Sequence, residues 1–267
     1  MNLDVLMKRF SIIGLDQPEI SLITDRVDAA VIPHESLPKI VVRDGKLFVE
    51  PVTGSTYIPV SKVVFHGIFE DDHDVIAGLA LWGGPCLPNA TAMMDCRLKL
   101  PCLVRALKHS EFAAPSRGYA SQGASYPTEV ERIAKWGNWH CGENKLRFGS
   151  RWEASESTIV ERYLSGKAVR IVLIGDQSWQ IQLAGDDWLK SIHHPTSHLM
   201  DVDPKLLADT QNIAKGFGLE ILANDYIVTE DGVPHLLEVN HIPNVTRFPE
   251  IWSAYSDYVV EWLSSDQ

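Results

Sequence analysis

The chain has 267 residues, room for one large domain or two to three small ones, and 45% of them are hydrophobic, as in globular proteins. A net charge of −11 argues against nucleic acid or an anionic membrane as the main partner, while leaving room for an acidic ligand held by a local cluster of Lys and Arg. No stretch approaches the apolar length needed to span a bilayer, and the start, MNLDVLMKRFSIIGLD, carries charges where an export signal needs an unbroken apolar core.

Cys86, Cys96, Cys102 and Cys141 show no CxxC spacing, which suits free thiols in a reducing cytoplasm better than a zinc site or disulfides. Residues 1 to about 88 read as a small α/β unit. Its β-like runs are Ser21–Ile23, Ala29–Ile32, Lys39–Val42, Leu47–Val49 and Lys62–His66, with a turn at Asp44-Gly45. A helix follows at His73–Leu81 and is broken by Gly83-Gly84-Pro85. Pro88-Asn89 opens the next helix, over Ala92–Lys108, which Pro101 either starts or kinks. Ser110–Pro127 is a Ser/Gly/Ala/Pro-rich loop with one short strand. Glu129–Trp136 leads into a Gly-bounded loop, Gly137–Lys145. Strands are predicted at Ile159–Leu164, Val169–Ile174 and Trp179–Leu183, then a polar segment, Gly185–His198. Asp203-Pro204 has the chemistry of a helix start, with Gly216 and Gly218 at its end. A last amphipathic helix covers Ile251–Leu263.

Chemistry concentrates in Asn224–Arg247, NDYIVTEDGVPHLLEVNHIPNVTR, which reads as a hairpin turning at Glu230-Asp231-Gly232. With Asp231 and Gly232 as the central turn residues, Asp225 lies opposite Glu238, and Asn240 shares the face of Glu238. Tyr226, Val228, Leu237 and Val239 would form the opposite, core face. Facing carboxylates repel, so either solvent or a divalent cation bound by carboxylate and amide oxygens must offset the repulsion. Lys135 and the glycines Gly137 and Gly142 have the makings of a phosphate-cradling loop, although Glu143 stands where a P-loop needs Lys and Ser or Thr. A plain surface loop accounts for the same glycines. Glu161-Arg162-Tyr163-Leu164 reads as a buried strand or as a backbone edge for adenine. His193, His194 and His198 fit a solvated loop, and Cys141 lacks the partners of a nucleophile.

Taken in order, these pieces resemble the ATP-grasp superfamily, most closely its peptide-ligase branch of the ribosomal-protein glutamate ligase and glutathione synthetase types. The likeness covers roughly residues 89–262 and rests above all on Asp225 with LLEVNHIPN. It implies an α/β (α+β) fold: a small pre-ATP-grasp domain over residues 1–105, a lid subdomain over 106–164, and a core subdomain with the metal site over 165–267. Lys135 matches the lysine that touches nucleotide phosphates. Glu161, Tyr163 and Leu164 match the adenine hinge, and Asp225, Glu238 and Asn240 match the Mg2+ ligands. Asn244 and Arg247 lie where family members approach the acceptor or γ-phosphate.

Some positions depart from the family pattern. Arg97 or Lys99 stands in for the lysine on the helix before the lid, the expected Asp-x-Arg reads Ala168-Val169-Arg170, and Lys190 substitutes for an arginine expected near Leu183. The resemblance implies an ATP- and Mg2+-dependent (or Mn2+-dependent) carboxylate–amine ligase acting through an acyl phosphate on a small molecule or peptide, with Arg170, Lys190, Asn244 and Arg247 at the reacting groups. A homodimer is compatible with it. The altered phosphate contacts keep a non-catalytic nucleotide-binding member, or a small-molecule kinase on the same fold, as alternatives.

Overall fold

A computed structural model describes residues 8–112, 117–137, 144–244 and 246–265. In chain order it begins with strand β1 (Arg9–Ile13), helix α1 (Gln17–Thr24), β2 (Ala30–His34), β3 (Ile40–Arg43), β4 (Lys46–Val49), β5 (Ile58–Val60) and β6 (Lys62–Phe65). Next come α2 (Asp72–Trp82), β7 (Cys86–Leu87), α3 (Ala90–Arg97), α4 (Lys99–Ala106), β8 (Arg117–Ala120), β9 (Ser125–Pro127), β10 (Arg132–Trp136), β11 (Lys145–Phe148) and β12 (Arg151–Glu153). The remainder is β13 (Thr158–Arg162), β14 (Gly166–Ile174), β15 (Gln177–Gln182), β16 (His198–Met200), α5 (Pro204–Phe217), β17 (Ile221–Thr229), β18 (Pro234–Asn240) and α6 (Pro249–Ser264). The chain divides into two compact units, residues 1–94, 218–220 and 244–267 in the first and residues 95–217 and 221–243 in the second.

The first unit is built on a parallel sheet, order β2-β1-β6-β7. Phe10, Ile12, Ile13 and Val63–Phe65 are fully buried, the continuous apolar run of strands covered on both faces. The sequence predicts a strand at Ser21–Ile23, but this stretch lies inside α1. Asp16 accepts the Glu19 N–H while Glu19 accepts the Asp16 N–H, both at 3.0 Å, and this capping box starts a helix that buries Ile20 and Ile23 on one side. Strands β1 and β5 were not anticipated. The Asp44-Gly45 turn forms as expected, both φ angles positive at 51° and 69°, and joins β3 to β4 in an antiparallel sheet with β5. Gly14 (φ 93°) ends β1 where a Cβ would come 2.3 Å from the Gly67 nitrogen, so only glycine lets these two turns meet. The last helix docks on this unit through Lys62, a buried ammonium that donates to the Trp262 and Ser265 carbonyls at 2.7 Å each, at the negative end of α6.

The helix expected over Ala92–Lys108 is two helices. Leu98 is extended (φ −95°, ψ 127°), and Pro101 sits in the first turn of α4, where its missing N–H removes no helix bond. Asn89 caps α3 by accepting the N–H groups of Thr91 and Ala92. Ser110–Pro127 carries two short strands, β8 and β9, rather than one. A four-stranded antiparallel sheet, order β11-β10-β13-β8, and a five-stranded one, order β16-β15-β14-β17-β18, supply the walls described below. Helix α5 packs on β14 and β17. There Asp209, fully buried, accepts from the Tyr226 hydroxyl (2.8 Å) and the Ser110 hydroxyl (3.0 Å). Among the described residues no helix is long and apolar enough to cross a membrane.

Burial of His66, whose ring centroid lies 4.7 Å from that of Tyr255, pushes its pKa down from 6.5 to about 4. The unfolded chain therefore binds the extra proton between pH 6.5 and 4, and stability falls as pH drops through that window. Urea unfolding should show the wild type losing about 2 kcal/mol more than His66→Gln between pH 7 and pH 5. Equal losses in the two proteins would mean that His66 protonates freely in the folded state.

Candidate active site

The β17–β18 hairpin sets Asp225 directly opposite Glu238 and Ala223 opposite Asn240. Two departures from the expected turn cancel to give this result. The loop has three residues, Glu230-Asp231-Gly232, with Gly232 at φ 79° and its N–H donated to the Thr229 carbonyl, so the outer half is shifted by one. A bulge at Leu237 then restores the register: Tyr226 faces Leu236, while Asp225 faces Glu238. The bulge also corrects the face assignments. Leu236, Tyr226 and Val239 are buried in the core, whereas Leu237 and Val228 are only half-buried and Leu237 lines the cleft.

Cations from neighbouring strands offset the carboxylate repulsion. Arg170 on β14 sits opposite Asp225 and grips it with both forks, Nε to Oδ1 at 2.6 Å and Nη2 to Oδ2 at 2.9 Å. Burial opposes the Arg170 charge, but Asp225, and beyond it Glu238, hold its pKa above the usual arginine value. Lys145 Nζ lies 3.6 Å from Glu238 Oε2. Asn240 is buried, and among the described residues its amide nitrogen has no hydrogen-bond partner. Two carboxylates and an amide offer the hard oxygen donors that suit Mg2+, which takes few protein ligands and fills its sphere with phosphate and water. They fit the ion on condition that Arg170 shares Asp225 with it. Among the described residues no group of three or more His, Cys, Asp or Glu is placed to hold a metal ion, and His194 meets Asp186 (3.2 Å) and Thr196 (2.9 Å).

On the four-stranded sheet, Glu161 of β13 is 2% exposed and lies between two cations. Arg117 of β8 reaches it at 2.8 Å and Lys135 of β10 at 2.5 Å. Burial works to raise the Glu161 carboxyl, but Lys135 and Arg117 together outweigh it and hold the group below the ordinary carboxylate range. Past the strand, the Tyr163 N–H donates to the Glu131 carbonyl, and the Arg147 guanidinium lies 3.8 Å from the centre of the Tyr163 ring.

These groups line one cleft of about 530 Å3, the size of a small-molecule site. Lys135, Glu161, Tyr163, Leu164, Lys190, Asp225 and Glu238 all border it, whereas Arg170, Asn240, Asn244 and Arg247 do not. Ile133 and Leu237 add apolar walls suited to a flat ring. The lining holds five lysines and arginines against four acids, a local reversal of the chain's −11. A narrow extension bordered by Lys99, Lys135 and Glu238 continues from it, which favours Lys99 over Arg97 as the helix-borne cation. Arg97 is buried at the end of α3. Lys190 curls back to donate to the Gly185 and Asp187 carbonyls. Gly137 has φ 69°, a left-handed turn after β10, while Gly142 and Cys141 lie outside the described residues. Asn244 and Arg247 belong to the first unit, where Thr246 donates to Asn244 at 3.4 Å and Arg247 lies over Phe248.

Sequence reasoning missed Arg117, Lys145, Arg147, Ile133 and Leu237. Lys145 had a signal, as the cation closing the Gly-bounded loop. Arg117, in a stretch that reads as loop, had none.

Because Asp225 and Glu238 repel once Arg170 is gone, Arg170→Met should cost about 3–5 kcal/mol in urea unfolding. Millimolar Mg2+ should restore more stability to this variant than it adds to the wild type. Equal Mg2+ effects would show that the three oxygen side chains do not form a cation site.

No protein-family model matches the sequence, and no curated protein matches it. Solved structures do. The D-alanyl-alanine synthetase A of Vibrio cholerae aligns with a TM-score of 0.66 at 13% identity, over 96% of this chain and 97% of that one. A RiPP-associated ATP-grasp ligase of Chryseobacterium gregarium, solved with ADP and a leader and core peptide, aligns with a TM-score of 0.64 at 12% identity, over 96% and 97%. The ATP-grasp ligase PsnB, complexed with minimal precursor, Mg and ADP, gives a TM-score of 0.62 at 13% identity, over 98% and 99%. What is shared at such identities is architecture, and the chain has the mixed α/β ATP-grasp fold that the resemblance implied.

Proposed function

We propose that the chain is an ATP- and Mg2+-dependent carboxylate–amine ligase. The observation that carries this reading is the convergence, in one cleft, of an apolar hinge wall, a cationic stretch and the Asp225–Glu238 pair. Adenine lies between Ile133 and Leu237 against the backbone of Tyr163 and Leu164. The triphosphate runs past Lys135 and Lys99 toward Glu238. A substrate carboxylate oxygen attacks the γ-phosphorus, the bond to the β-phosphate oxygen breaks, and ADP leaves behind an acyl phosphate. An amine then attacks the acyl carbon, inorganic phosphate departs, and an amide remains.

Asp225, Glu238 and Asn240 would hold Mg2+, which when bound neutralises phosphate charge during transfer. Lys135, Arg170 and Lys190 stabilise that charge from the sides. Asn244 and Arg247, in the segment that follows Asn240, are assigned to the acyl substrate's acidic group, since an Arg fork matches a carboxylate. Support for nucleotide, Mg and a peptide substrate comes from what the ligases of the same fold were solved with. A reducing compartment such as the cytoplasm suits Cys86, Cys96 and Cys102, all free and buried.

A second reading, nucleotide binding without turnover, draws on the commitment of Asp225 to Arg170 and of Lys135 to Glu161. ADP release on mixing the protein with Mg-ATP, amino acids and peptides separates the two readings. In the ligase reading Glu238→Gln should lower that release at least a hundredfold with a melting temperature close to wild type. Full activity in Glu238→Gln would remove the metal assignment.

A further inference from the structure

We infer that Arg117 is a positioning residue for nucleotide binding: by neutralising Glu161 it leaves the charge of Lys135 available to phosphate. The inference rests on the function proposed above and concerns a residue that neither the motif nor the cleft lining singles out.

Lys135, Glu161 and Arg117 sit on three adjacent antiparallel strands, with Glu161 directly opposite Arg117 in the β13–β8 register. Side-chain exposure is 9% for Lys135, 3% for Glu161 and 10% for Arg117, so bulk water screens these charges little. Two cations share one carboxylate. Without Arg117, Lys135 and Glu161 would form a neutral pair 2.5 Å apart, with no net attraction for an anion. With Arg117 present, the group carries one net positive charge, and Lys135 is the cation of the group that borders the cleft, beside Glu161.

Arg117 is fixed for this task from its other end. Its Nη2 donates to the Leu236 carbonyl at 2.5 Å, where the ladder is interrupted beside the Leu237 bulge. One guanidinium therefore ties the four-stranded sheet to the ribbon bearing Glu238 while it holds Glu161 in place. Its remaining nitrogen, Nη1, is buried without a hydrogen-bond partner among the described residues.

A purely structural Arg117 and a charge-balancing one predict different behaviour in a double variant. The experiment is calorimetric titration of wild type, Arg117→Met, Arg117→Lys, Glu161→Gln and Arg117→Met/Glu161→Gln with inorganic tripolyphosphate, which has phosphates and no base, at fixed Mg2+. Mg-ADP is titrated into the wild type alongside. Affinity for tripolyphosphate should follow the net charge of the triad, each unit being worth roughly tenfold. Arg117→Met should weaken binding about tenfold, and the double variant should return to near wild type although the Leu236 contact is still missing. Glu161→Gln should bind at least as tightly as wild type, and Arg117→Lys should keep most of the affinity. Wild-type affinity in Arg117→Met, or a double variant as weak as the single one, would overturn the inference. Should Arg117→Met fail to fold because it strands a buried carboxylate, the double variant and Arg117→Lys still decide the matter. A wild type that binds neither Mg-ADP nor tripolyphosphate would sink the ligase reading itself, and the inference with it.

Discussion

Two carboxylates buried on sheet faces, Glu161 and Asp225, each need a cation from the next strand, and this constraint organises the second unit. Arg117 answers Glu161 and Arg170 answers Asp225, in both cases from the directly opposed position of an antiparallel neighbour. Removing such acids from water costs several kcal/mol apiece unless a matched partner is hydrogen-bonded to them, and each arginine supplies one such partner. Both arginines are half-buried beside their acids. Glu161 thereby stays ionised in a setting that would otherwise drive a proton onto it.

The bulge at Leu237 connects this electrostatic arrangement to the shape of the cleft. One extra residue in β18 turns Leu237 out of the core and toward the cavity, brings Glu238 opposite Asp225, and leaves the Leu236 carbonyl to Arg117. A regular ladder would have kept Leu237 and Leu236 alternating without a break and given the cleft a different wall. Apolar surface for a ring and oxygen donors for an ion thus lie side by side because of a single irregularity in the hairpin.

A cleft with more cations than acids, in a chain of net charge −11, concentrates attraction for anions in one place while the rest of the surface repels them. The cations are not equivalent. Arg117 and Arg170 are spent on acids, Lys190 is engaged by carbonyls of its own loop, and Lys145 is shared with Glu238. Lys135 and Lys99 border a small recess beside the cleft.

The residues that bear chemistry were readable from the chain because they lie close together in it. An Asp-Gly turn and two-residue alternation paired Asp225 with Glu238, but only because the three-residue loop and the bulge at Leu237, neither of them anticipated, cancel. The turn at Asp44-Gly45, the break near Pro101 and the Asp203-Pro204 helix start were legible for the same reason, each being a property of adjacent residues. Helix α1 was misread because the capping box at Asp16 and Glu19 outweighed the strand-like look of Ser21–Ile23. The partners of the acids were decided only in three dimensions. Arg117 precedes Glu161 by 44 residues and Arg170 precedes Asp225 by 55, and no local pattern marks which arginine will face which acid. Periodicity and turn chemistry act over a few residues, whereas charge compensation in a buried sheet depends on strand order and register, which come into being only when distant segments pair.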